Sequence, residues 1–359
     1  MTTAGPISPI ASPPEPPPTD ERLLRVGIGK RLLTRPDTGA LLGAIAVFVA
    51  FAWFARAVDW TSDPGIWATW TDQAAQYGIV AVPVALLMIG GEFDLSAGAM
   101  IGSSGLLLGY LTTFQDLNVW PATALVLVFG LVVGFLNGIT VVRTRLPSFI
   151  VTLATFFVLQ GVNAALTLRL TGTTAIGNID AASGFASARR FLASEVTQWD
   201  FKVKVFWWIG LTIVGASVLA KSRFGNWIFS AGGDPIAARN VGVPVARTKV
   251  ALFMATSATA ALMGTIEALE LRSMQSKEGI GLEFIFIICA VVGGCLLTGG
   301  YGSVIGTAFG AAMLGMVQLG ITYSQWDSNW TYAFQGAILF AAVLLNTIIR
   351  QRAVRARAG

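Results

Sequence analysis

The chain alternates long apolar runs with short polar breaks. Stretches of about 17–23 residues without an acidic or basic side chain recur along it, each long enough to cross a hydrocarbon core of about 30 Å as a helix. Crossings are predicted near 41–58, 72–89, 95–113, 121–142, 148–169, 205–220, 248–270, 283–298, 303–323 and 331–349. The fold class is therefore all-α: a polytopic membrane protein of about ten transmembrane helices. A short or re-entrant element within the set would alter that count.

Charge orients these crossings. Residues 1–38 combine a Pro-rich tract, Ile10 to Pro18, with Arg22, Arg25, Lys30, Arg31 and Arg35. The tract cannot form a helix or central strand, and no apolar signal core precedes it, so this segment is expected to be a disordered cytoplasmic tail. Residues 39–350 form the transmembrane domain, and 351–359 a basic cytoplasmic tail. With the N-terminus inside, sixteen of the 24 basic residues lie on cytoplasmic segments, including Arg143, Arg145, Lys221, Arg223, Arg239, Arg247 and Lys249. That bias agrees with an even number of crossings and both termini in the cytoplasm. Trp60, Trp67, Trp70, Trp120, Trp199, Trp326 and Trp330 fall near predicted outer boundaries, at headgroup depth. Membrane lipid, not nucleic acid, is the expected neighbour of the basic clusters.

Composition narrows the chemistry. The sequence is 54% hydrophobic and 12% charged, and it contains no histidine. That removes the usual general base and the commonest metal ligand. Cys289 and Cys295 lack the spacing of a zinc or redox motif and read as small apolar packing residues. No catalytic residue and no metal site is predicted.

The run Gly90-Gly91-Glu92-Phe93-Asp94-Leu95-Ser96-Ala97-Gly98 breaks this apolar pattern most sharply. A charge at the bilayer centre costs roughly 2.5–3.5 kcal/mol, so the two carboxylates call for a helix end, a polar cavity or broken backbone. The run is echoed by Gly293-Gly294 through Gly302-Ser303-Val304-Ile305-Gly306, which suggests a parallel internal duplication. Gly90, Gly91, Glu92, Asp94, Ser96, Gly98, Gly293, Gly294, Gly302 and Gly306 are read as a gate or hinge turn between packed helices.

Two polar segments exceed ordinary loop length. The one at 171–204 is external and has room for a short helix. The one at 221–249 is cytoplasmic: Asp234 can cap a short helix begun by Pro235, and Gly242 can end it about two turns later. Such a helix suits a groove on a soluble partner. Inside the spans, Asn137, Gln160, Asn163, Gln318 and Gln335 are uncharged polar residues able to meet hydroxyls, and are candidates for a translocation path. Each could equally join two helices by a hydrogen bond. Glu267 and Glu270, near the outer end of the seventh crossing, could form a salt bridge or touch an external partner, but are read first as solvated boundary charges.

Four motifs, in order, carry a resemblance: Gly90 to Gly98, Leu146-Pro147-Ser148-Phe149-Ile150-Val151-Thr152-Leu153, Gly233-Asp234-Pro235-Ile236-Ala237-Ala238-Arg239-Asn240-Val241-Gly242, and Val292-Gly293-Gly294 through Leu297 to Gly306. Together they resemble bacterial ABC-importer permeases for monosaccharides such as ribose, xylose, galactose and arabinose, over residues 40 to 350. Glu92 and Tyr301 depart from the residues most common there. The resemblance implies a multi-pass protein of the bacterial inner membrane, paired with a second permease copy. It also implies sugar delivery by an external solute-binding protein, and drive from a cytoplasmic ABC ATPase gripping a coupling helix. Asp234, Pro235, Ala237, Ala238, Arg239 and Gly242 would belong to that helix. The chain has no Gly-x-x-x-x-Gly-Lys-Ser/Thr loop, so it needs no cofactor of its own and ATP would be bound by the partner. A permease for branched-chain amino acids or nucleosides is the nearer alternative. An ion-coupled carrier would need ionisable sites near the midplane, for which only Glu92, Asp94 and Glu267 qualify.

Overall fold

A computed structural model describes residues 36–55, 58–196 and 200–358. The Pro-rich tail and all five residues of its basic cluster, with Arg56 and Trp199, lie outside them. The described chain is helical apart from two short strands: α1 (Pro36–Phe54), α2 (Pro64–Ile89), α3 (Ala97–Thr113), α4 (Val119–Thr144), α5 (Ser148–Thr171), β1 (Ala175–Ile176), α6 (Phe185–Leu192), α7 (Val203–Lys221), α8 (Arg223–Gly233), α9 (Pro235–Asn240), α10 (Val245–Leu271), β2 (Met274–Gln275), α11 (Leu282–Val292), α12 (Val304–Tyr323) and α13 (Trp330–Ala358).

Local chemistry sets several boundaries. Asp63 caps α2 by accepting from Gly65 N at 2.8 Å, ahead of Pro64 at its first position. Asn118 caps α4 in the same way through Trp120 N at 3.0 Å. Arg145 in the left-handed conformation ends α4, and Pro147 precedes the first residue of α5.

Each of the ten predicted crossings falls on a helix, but they are not equivalent. Among the described residues, seven helices are long and apolar enough to span a membrane. Helix α3 has 17 residues and α11 only 11, so α11 covers about 16 Å, half the hydrocarbon thickness. The predicted crossing at 283–298 is therefore a half-helix entered through irregular backbone. Helix α13 continues past the predicted crossing and through most of the expected basic tail. Helices α2, α10 and α12 are central, with 78%, 61% and 72% of their most apolar windows buried, whereas α1 and α5 are peripheral at 17%. Trp60 is 1% exposed and packs with Phe51 and Ile66, so it is a core residue and not a headgroup anchor.

The long segment after α5 does contain a short helix, α6. Its strand β1 pairs antiparallel with β2, Ala175 opposite Gln275 and Ile176 opposite Met274, which ties that segment to the chain entering α11.

Candidate functional site

One side of the bundle carries the basic helix ends, and there α8 and α9 form a helical pair broken at Asp234. The Asp234 carboxylate accepts from Ile236 N and Ala237 N, both at 3.0 Å, and Pro235 opens α9. Gly242, at φ +85, turns the chain out after it. Ala238 is buried against Ala231 and Val245, while Ile236 is 73% and Val241 80% exposed. A braced helix presenting two bare aliphatic side chains is built to meet another surface. Helix α8 was not expected from the sequence; Ser222, which accepts from Gly225 N at 3.0 Å, is its cap.

The predicted turns lie directly behind this pair. Helix α2 ends with Gly90 N donating to Leu86 O, Gly91 N to Met88 O and Glu92 N to Leu87 O. Helix α11 ends with Gly293 N donating to Cys289 O, Gly294 N to Val291 O and Cys295 N to Ala290 O. Every donor and acceptor in the second set is 203 residues beyond its counterpart, and Gly91 and Gly294 share a positive φ of 82 and 92. That conformation is open to glycine at no steric cost, so the two caps are one motif used twice. The second turn then runs longer before Ser303 caps α12. Consequently Gly98 sits inside α3, whereas Gly302 precedes its helix and packs near Cys295 and Ile89. Gly306 lies against Gly293 in the α11–α12 contact.

The chain has four Gly-Gly pairs, and three of them meet. A Cβ on Gly299 would lie 2.7 Å from Gly91 Cα and 2.9 Å from Gly232 O, and one on Gly300 would lie 2.7 Å from Gly233 Cα. Gly300 N donates to Ile89 O at 2.8 Å. Backbone from the end of α2, the end of α8 and the second turn thus touches directly, with no side chain between. Sequence reading assigned no role to Gly232, Gly299 or Gly300; the doubled glycines were the available signal.

Polar side chains staple the first turn. Buried Asp94 accepts from Ser96 N at 2.8 Å and Ser96 Oγ at 2.5 Å, and Ser257 Oγ donates to it at 3.5 Å. Asn137 Nδ2 donates to Ser96 Oγ at 3.0 Å, while Asn137 Oδ1 accepts from Thr155 Oγ1 at 2.6 Å. Ser148 Oγ and Thr152 Oγ1 accept from Phe93 N and Leu95 N. Three helices, α4, α5 and α10, thereby hold seven residues of irregular backbone. Glu92 forms an ion pair with Lys249 at the start of α10, just after the α8–α9 pair.

The other path candidates are dispersed. Asn163 is buried beside α3, with Ser103 and Ala99 O as its polar neighbours. Gln160 and Gln318 are partly exposed on α5 and α12, and Gln335 is buried on α13. At the opposite end, Glu267 is not a solvated charge: it is 4% exposed and accepts from Gln76 of α2. Glu270 is likewise drawn into a network, in which Lys202 pairs with Asp72 at 3.2 Å and with Glu270, and Lys204 pairs with both at 2.9 Å. Burial alone would lower the Lys202 pKa, but Glu270 and Asp72 outweigh it and hold it above the ordinary lysine value. Lys202, just before α7, and Lys204, in its first turn, bring two ammonium groups over the ends of α2 and α10. No metal-ligating group of three side chains occurs among the described residues.

A membrane-spanning helical bundle with two matched glycine turns and a braced helix at one end has the parts of a transport subunit. The chain belongs to the family described as branched-chain amino acid transport system / permease component, whose pattern matches residues 66–343. It is 29% identical to the galactose/methyl galactoside import permease protein MglC of Escherichia coli strain K12, over 75% of this chain and 82% of that one. It is also 29% identical to the fructose import permease protein FrcC of Rhizobium meliloti (78% and 77% covered). The ribose import permease protein RbsC of Escherichia coli is 28% identical (76% and 83% covered). No solved structure matches the chain.

Proposed function

We propose that the chain is the membrane subunit of an ATP-driven importer for a monosaccharide or similar polyol, working as a pair of copies with a cytoplasmic ATPase and an external solute-binding protein. The observation that carries this reading is the Asp234–Gly242 helix. It is capped at both ends, bares Ile236 and Val241, and is backed by the Gly232 contact with both turns, as a part that receives force from outside the bilayer would be. The basic helix ends then face the cytoplasm, with both termini on that side of the inner membrane. The import permeases named above favour a sugar. A zwitterionic amino acid is less well served, because the half-buried charges Asp72, Lys202, Lys204 and Glu270 are engaged with one another.

Proteoliposomes holding the permease, its ATPase and its binding protein test this. Uptake should require ATP and the binding protein, and thermal-shift screening of the binding protein should select a pentose or hexose over leucine, isoleucine or valine. Asp234→Arg should abolish uptake while the permease remains in the membrane. Uptake by the chain alone on an ion gradient would overturn the proposal.

A further inference from the structure

The backbone that enters α11 does not stay at the membrane surface. Gly98, Gly102, Gly105 and Gly109 line one face of α3, and the chain after β2 descends along it. A Cβ on Gly105 would sit 2.6 Å from the Met274 side chain, one on Gly102 2.7 Å from Glu278 O, and one on Gly98 2.6 Å from Gly279 O. Gly102 lies eleven residues before Thr113, the last residue of α3, or about 16 Å along the axis. Gly264 of α10, which packs on Ile101 O, lies seven residues before Leu271, or about 10 Å. The chain therefore runs from about 12 Å inside the end of α3 at Met274 to about 22 Å at Gly279, with residues 276–281 as turns and not as helix.

Irregular backbone at that depth is tolerated only inside protein or beside water. One side of the segment is buried: Met274, Ser276 and Gly279 pack inward. The other side bares Gln275 and Lys277, with Glu278 half-exposed. A lysine facing hydrocarbon there would cost roughly 2.5–3.5 kcal/mol. The adjoining surface is polar as well. Asn163 flanks the same Gly102 as Glu278, its Nδ2 lying 3.4 Å from a Cβ built there, and the half-exposed Gln160 is one turn away on α5.

We infer that the exposed edge of Gln275–Glu278 is a wall of the water-filled solute path, where Lys277, Gln275 and Gln160 offer hydrogen-bond donors to the passing solute. This rests on the reading of the chain as a transporter subunit, though not on which solute is carried.

The test is thiol labelling of the assembled importer in proteoliposomes with a membrane-impermeant charged maleimide. Cys289 and Cys295 are buried, so the unmodified chain supplies the background. Lys277→Cys and Gln275→Cys should react within about ten-fold of Ala186→Cys, an exposed control position on the short helix α6. Both should react at least ten-fold faster than Phe157→Cys and Val214→Cys, which are exposed apolar positions on peripheral helices. A rate at position 277 as slow as at 157 would place the segment against lipid or another chain and overturn the inference. Labelling needs neither ATP nor sugar, so a failure of sugar uptake alongside fast labelling would count against the proposed substrate alone.

Discussion

Replacing Gly232 by alanine should part the α8–α9 pair from both turns. The new Cβ would collide with Ile89 O and stand 2.8 Å from Gly300 N, the two atoms that share a 2.8 Å hydrogen bond. Both neighbours are backbone, so relief requires main-chain movement. Overpacking of this kind costs about 1–3 kcal/mol, and the lost hydrogen bond adds about 1 kcal/mol. Against that, alanine gains at most about 1 kcal/mol over glycine within a helix. The net penalty, about 1–3 kcal/mol, makes the three-way contact about five-fold to 150-fold less populated. Gly233 is the control one residue away. A Cβ there meets only Gly300 Cα at 3.9 Å, an ordinary contact, so Gly233→Ala should be neutral or slightly stabilising. Thermal unfolding of the purified variants and ATP-driven uptake in proteoliposomes measure both effects. Equal melting and equal uptake for the two variants would refute the claim that backbone contact at Gly232 joins the pair to the turns.

Two further outcomes follow from the stapled turn. Lys249→Met leaves the Glu92 carboxylate unpaired in a largely buried position, and should cost more than the ~1 kcal/mol of an exposed pair and up to about 3 kcal/mol. Melting should recover in the Glu92→Gln/Lys249→Met double variant, and the absence of recovery would deny the coupling. Asn137→Leu breaks the link from Ser96 to Thr155 and should lower stability by about 1–2 kcal/mol with no change in substrate preference. A shift in the sugars transported would show instead that Asn137 meets the solute.

The crossings and the Asp234–Gly242 helix were legible because their causes are local: apolar length, an acidic cap, a proline at the first turn, a glycine at the exit. The matched turns were legible for the same reason, since Gly91 and Gly294 answer a backbone demand that a repeated doublet advertises. What escaped was non-local. Glu267 and Glu270 read as solvated because nothing near them in sequence announces Gln76, 191 residues from Glu267, or Lys202 and Lys204 at the start of α7, which pair with Glu270. The half-helix was hidden because residues 283–298 are apolar enough for a crossing. Only the glycine face of α3, on another element, makes room for the chain to enter it at depth. Asn137 looked like a lone polar residue in a span until Ser96 and Thr155 supplied both of its partners.

The three-way glycine contact also constrains how the two halves can move. Gly232 touches the first turn through Ile89 and Gly91 and the second through Gly299 and Gly300, while Gly300 is bonded to Ile89 across them. A displacement of α8 and α9 therefore cannot reach one turn without loading the other. The turns share their caps but not their anchorage. Asp94, Ser96, Asn137 and Thr155 fix the first to α4 and α5, and Glu92 ties it to α10, whereas the second lacks a counterpart of the Asp94 network among the described hydrogen bonds. Under the proposed coupling role, force entering at Asp234–Gly242 should thus be resisted by the first turn and yielded to by the second. The longer loop, with α11, would then be the part that moves.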